Sequence, residues 1–191
     1  MSLNQFIYDF ALWLDASHWS TLLHESYYLY SWIETVHVLS LVPSLGMLFL
    51  IDLRMLGLAL PQVPSTLIAS RLRWPMLVGF GLMIVTGLLL FYAIPVRNSQ
   101  SVWLRLKLIL MMAAGLNALL FHYRLTRSVG SWDIAPLAPT NIRFGAKLSL
   151  LFWTLIVICG RLIAYDWYDC SADQGGLISL FAGCIDGQIQ F

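Results

Sequence analysis

The chain has 191 residues, of which 59% are hydrophobic and only 11% charged, with a mean hydropathy of +0.76. A soluble domain carries about a quarter charged residues, so the solvent of this chain is lipid. A net charge of +1, with no basic stripe and no zinc-finger spacing, gives nucleic acid no foothold.

Residues 3–14 set Leu3, Phe6, Ile7, Phe10, Ala11 and Leu14 at helical spacing, with Asn4, Gln5, Asp9 and Asp15 between them. That predicts an amphipathic helix, too short and polar to span, lying in the interface. The first residues carry no positive stretch of the kind that opens a cleavable signal peptide, so Met1 onward is expected to be retained. Residues 16–31 hold His18, Trp19, His24, Tyr27, Tyr28 and Tyr30, an interfacial aromatic belt.

Four apolar runs follow, near 33–58, 74–94, 102–123 and 148–165. Each approaches the roughly 20 residues that cross the hydrocarbon as a helix. Pro43 is expected to bend the first, and Trp74-Pro75 opens the second. Gly79, Met83 and Gly87 recur at four-residue intervals, a small-residue face that lets helices approach closely. Together with Ala113, Ala114 and Gly115, this admits a homo-oligomer or a place in a larger membrane complex. The expected fold is all-α: a four-transmembrane-helix bundle over 32–165, an N-terminal interfacial segment over 1–31 and a tail over 166–191.

Four spans put both termini on one side. With residues at the helix mouths included, the terminal side holds Arg97, Arg105, Lys107 and Arg161. The other side holds Arg54, Arg71, Arg73, Arg124, Arg127, Arg143 and Lys147, seven against four. The positive-inside rule then makes the termini periplasmic, and eight of the ten acidic residues fall on their side. Cys170 and Cys184 would lie in an oxidising compartment, where a disulfide and two free thiols both stand as readings. Cys159 reads as apolar packing.

Ionisable residues inside an apolar span mark function. Glu34 and His37 share a helix face, and His37 lies roughly 6 Å inside the first span. The pair points to a haem or metal ligand with a carboxylate beside it, or to an interfacial histidine bonded to a neighbouring helix. Arg161, one turn inside the same mouth, needs an anion: Glu34, a haem propionate or a quinone oxygen. Arg105 and Lys107 enter at that level and could serve likewise, although snorkelling to the headgroups also accounts for them. His122, with Asn117 five residues before it, stands at the opposite mouth, where a haem would need a second ligand from a methionine or another protomer. His24 could fold onto the outer mouth and complete a site with His37, whereas His18 reads as a belt residue. Asp52 and Arg54, two apart, do not face each other, and the second and third helices are expected to supply their partners. Walker, H-E-x-x-H and G-x-S-x-G patterns are absent, so nucleotide-driven and hydrolytic chemistry have no basis.

The strings WIETVHVLSL and DLRMLG in the first span, Gly79-Phe80 and Thr86-Gly87 in the second, KLILMMAAGLNALLFH in the third and GRLIAY in the fourth resemble an uncharacterised bacterial family of four-helix inner-membrane proteins. The resemblance covers about Trp32–Tyr165. It includes Glu34, His37, Asp52, Arg54, Lys107, Asn117, His122, Arg161 and Tyr165, and it leaves out His18, His24 and the cysteine-bearing tail. More distantly, the chain is similar to b-type cytochromes of the cytochrome b561 class and to copper-resistance D membrane proteins. Those cytochromes hold each haem between histidines on facing helices, whereas His37 and His122 stand at opposite mouths here.

Three functions are therefore open. One is an electron-transfer subunit binding haem b through His37, with His24 or His122 as a further ligand candidate, Arg161 or Arg105 at a propionate, and a quinone or a periplasmic dehydrogenase as redox partner. The second is a copper-handling protein with His37, Glu34 and the outer histidines as metal ligands; His122 is a further metal-ligand candidate. The third is a structural subunit or assembly factor without cofactor.

Overall fold

The computed structural model describes residues 2–128, 132–165, 168, 170 and 176–185. Among them there are eight helices and no strand: α1 (Leu3–Asp15), α2 (His18–Glu25), α3 (Tyr27–Met55), α4 (Ser65–Ala93), α5 (Pro95–Ser99), α6 (Val102–Ser128), α7 (Thr140–Ile163) and α8 (Gly176–Ala182). Asp166, Asp169, Asp173 and Asp186, counted above with the acidic terminal side, lie outside the described residues. Helices α3, α4, α6 and α7 are long and apolar enough to cross a membrane. The fold is an all-α four-helix membrane bundle.

The long helices start earlier or end later than the apolar runs. Helix α3 begins at Tyr27 and α4 at Ser65, ahead of the Trp74-Pro75 that reads as its start, so Pro75 lies inside the helix. Thr140 opens α7 ahead of the apolar run at 148–165. At 29 residues, α3 and α4 each run roughly 43 Å, more than the hydrocarbon thickness of ~30 Å. A tilt, or turns beyond the hydrocarbon, accommodates the excess.

The chain divides into two compact units. The loop unit comprises Val38–Met83 and Leu110–Ile156. Its core is Ile51, Met55, Ile68, Trp132, Ala138, Ile142 and Ala146, and Arg54, with 0% exposure, sits at its end. Arg54 Nε donates to the Val63 carbonyl at 2.7 Å, and Nη2 donates to those of Asp133 (3.4 Å) and Ala135 (3.1 Å). One planar guanidinium, with donors fixed in a fork, thereby ties both interhelical loops to α3. Gly57 ends this segment at φ +75°, where any side chain would also strike Leu137 and the Pro136 carbonyl. Asp133 caps α4 from a distant loop: Thr66 donates to its carboxylate through N–H (2.8 Å) and Oγ1 (2.6 Å).

The terminal unit comprises Met1–His37, Ile84–Ile109 and Val157–Phe191. Ser2 caps α1 by accepting from the Gln5 N–H. Tyr8 and Ala11 of α1 bury against Val96 of α5, leaving Leu3, Phe6, Phe10 and Trp13 as an exposed apolar ridge. Helix α2 docks on the end of α4 through Ser17 with the Tyr92 hydroxyl (2.5 Å) and Ser20 Oγ to the Tyr92 carbonyl (2.8 Å). Pro95 opens α5 where its fixed φ and missing N–H cost nothing. A disulfide joins Cys170 to Cys184.

Candidate functional site

Most of the candidate residues read from the sequence fall in the terminal unit, and the structure gives them unequal surroundings. On α3, His37 meets α4 at two consecutive residues. Its Nδ1 shares a 2.8 Å hydrogen bond with Thr86 Oγ1, and Thr86 is only 5% exposed. Beside it, a Cβ at Gly87 would lie 3.2 Å from His37 Cε1, so a side chain there would press the imidazole aside by a few tenths of an ångström. The ring is thus seated by a hydroxyl on its edge and bare backbone beneath. Glu34, one turn earlier, is exposed, and it is Thr86 that meets Nδ1.

A second polar side chain rests on a glycine in the same unit. Lys107 of α6 extends to α7, where its Nζ would be 3.4 Å from a Cβ on Gly160. The Cys159 thiol is its ionisable neighbour. Arg105 donates from Nε to the Ser99 carbonyl (3.2 Å) and from Nη1 to Asn4 Oδ1 (3.1 Å), and its guanidinium lies against Gly183. It joins α1, α5 and the turn after α8. Gly183 has φ +77°, so glycine is required there twice over.

Arg161 turns along its own helix to Tyr165, one turn on. Its Nη2 donates to the phenolic oxygen at 2.9 Å, and the guanidinium carbon stands 4.8 Å from the ring centroid. Tyr165, rather than Glu34, is the group that meets it. His18 and His24 are both exposed on α2. His122 belongs to the loop unit and is exposed, while Asn117 donates to the Gly145 carbonyl at 2.9 Å and turns to α7.

Also in the loop unit, Asp52 is 3% exposed, and its side-chain partner is Ser149 of α7. The Oδ2 atom makes no hydrogen bond among the described residues. Neither Asp52 nor Arg54 takes its partner from the second or third long helix, as the charges at those helix ends suggest. Loop carbonyls serve Arg54, because a fork of donors is matched by several backbone acceptors as well as by one carboxylate.

Thr86, Gly87, Gly160 and Ser149 are the residues that sequence reasoning left without a role. The first two had a signal, since Thr86-Gly87 is one of the strings carrying the family resemblance and Gly87 belongs to the glycine face. That face is used inside the chain: Gly87 lies under His37, and Gly79 lies against Ser44 of α3. Among the described residues, no three His, Cys, Asp or Glu side chains stand together as metal ligands.

The model of a family of unknown function (DUF6644) matches residues 11–166. No curated protein and no solved structure matches the chain.

Proposed function

We propose that this chain, which belongs to the family of unknown function DUF6644, is a membrane electron-transfer subunit that holds haem b through His37. The seat of His37 is the observation that supports this reading. A ligating histidine is oriented by a hydrogen bond on the ring nitrogen away from the metal. With Nδ1 engaged by Thr86, ligation would fall to Nε2.

The donor set favours haem over a bare copper ion. A copper site needs several protein ligands, and the described residues bring no three together. A porphyrin supplies its own equatorial nitrogens, so one well-held histidine from the chain is a meaningful contribution. His24, on α2 of the same unit, is the histidine nearest in sequence that could add a second axial ligand; His122 belongs to the other unit. Haem would supply one-electron chemistry at the end of the bundle that carries the termini. The seven-to-four distribution of Lys and Arg supports reading that end as the periplasmic side of a bacterial inner membrane. A quinone or a periplasmic dehydrogenase would be the redox partner.

The test is the absorption spectrum of protein purified from haem-replete cells. A Soret band that shifts on dithionite reduction is expected. A colourless, folded preparation overturns the reading and leaves the structural one.

A further inference from the structure

Four cations of the terminal unit could meet an anion, and three are engaged. Arg105 is held by Ser99 and Asn4, Arg161 by Tyr165, and Arg97 has partners of its own. Lys107 is different. Its amine lies across Gly160 beside a thiol, and among the described residues it has no hydrogen bond and no ion pair. Glu34, the carboxylate on α3 in this unit, does not come to it.

Depth makes this unusual. Lys107 lies roughly 7.5 Å along α6 from Val102, within reach of the headgroups for a four-carbon stem. The stem nevertheless points sideways to α7, where Nζ lies 3.4 Å from the Cβ position of Gly160. An ammonium at such depth is costly unless an anion accompanies it. The flanking surfaces are apolar and exposed: Leu106, Leu108 and Ile109 on α6 and Ile158 on α7. An anion arriving there must come from the lipid and carry an apolar body. A phospholipid phosphate is tethered at headgroup level, whereas the carboxylate of a membrane-embedded amphiphile can sit lower.

We infer that Lys107, lying over Gly160 of α7, is a receptor for a membrane-borne carboxylate. The inference does not require haem. A fatty acid and a haem propionate offer the same chemistry, and the experiment separates them.

Lys107 and Lys147 are the two lysines of the chain, so full-length Lys147→Arg protein labelled with ¹⁵N-lysine reports on Lys107 alone. In phosphatidylcholine liposomes, dipolar dephasing between its ¹⁵Nζ and ¹³C-carboxyl oleate should show a contact of about 4 Å, as for an ion pair. Methyl ¹³C-oleate should show none. Gly160→Leu, whose side chain extends past a Cβ position that already touches the amine at 3.4 Å, should abolish most of the dephasing without removing the charge. If a propionate is the natural occupant, haem labelled with ¹³C at its propionates gives the contact and excludes oleate. Contact with oleate in haem-free protein upholds the receptor even where the haem reading fails. No contact with either carboxylate, or equal contact with the methyl ester, overturns the proposal.

Discussion

His37 of α3 lies on Gly87 of α4, with the neighbouring Thr86 holding its Nδ1 at 2.8 Å. The same device recurs along the long helices: Ser44 against Gly79, Phe121 and Asn117 against Gly145, and Lys107 against Gly160. Between helices in lipid, close packing and hydrogen bonds replace the hydrophobic drive. Glycines therefore sit where polar side chains must cross to the next helix.

This gives a comparison with internal controls. A Cβ at Gly79 would overlap Ser44 Oγ, whereas Gly46 and Gly81 have nothing within 4 Å. Gly79→Ala is expected to lower the thermal midpoint in detergent. Gly46→Ala and Gly81→Ala should leave it unchanged or raise stability by about 0.5–1 kcal/mol, through lost backbone entropy in a helix. Equal effects at all three positions would contradict the packing described.

Arg54 should be indispensable for the fold. Replacing it by Ala strands the Val63 and Ala135 carbonyls, while that of Asp133 keeps the Ser65 N–H, and Lys cannot reproduce the fork that reaches all three. Either substitution should cost about 3 kcal/mol or more, read as a fall in the unfolding midpoint and early proteolysis of the 132–139 loop. Asp133→Asn should be milder, because Thr66 keeps an acceptor.

The Cys170–Cys184 bridge spans 14 residues. Its removal by a double Ser substitution should lower stability by up to about 3 kcal/mol on the chain-entropy estimate. Since such bonds persist in oxidising compartments, thiol labelling of freshly lysed cells without reductant should modify Cys159 alone, after denaturation. Labelling of all three cysteines would place the tail in the cytoplasm.

Hydropathy made the four spans legible because each contains a run of apolar residues long enough to cross lipid. It did not show the start of α4: the turns from Ser65 to Arg73 are polar, and their cap comes from Asp133, 67 residues away along the chain. The depth of His37 could be read from its place in the span, but nothing local identifies Thr86 and Gly87 as the residues opposite. Arg105 and Lys107 are two apart and look equivalent in sequence. Their roles diverge through partners set by tertiary structure, Ser99 and Asn4 for one and Gly160 for the other.

Thr86 should act on His37 as a positioning residue. Thr86→Val keeps the shape of the side chain and removes the hydrogen bond at Nδ1. If the ring ligates haem, this variant should retain haem with a changed reduction potential, while Thr86→Ser should restore the wild-type value. Identical potentials in all three proteins would show that the hydrogen bond does not tune the ligand.

The most direct measurement is the haem-to-protein ratio of purified full-length protein, wild type against His37→Ala, by pyridine haemochrome assay, with circular dichroism to establish folding. Stoichiometric haem in the wild type and its loss in a folded His37→Ala variant is the expected result. Haem absent from a folded wild type, or retained in full without His37, would contradict the assignment of His37 as its ligand.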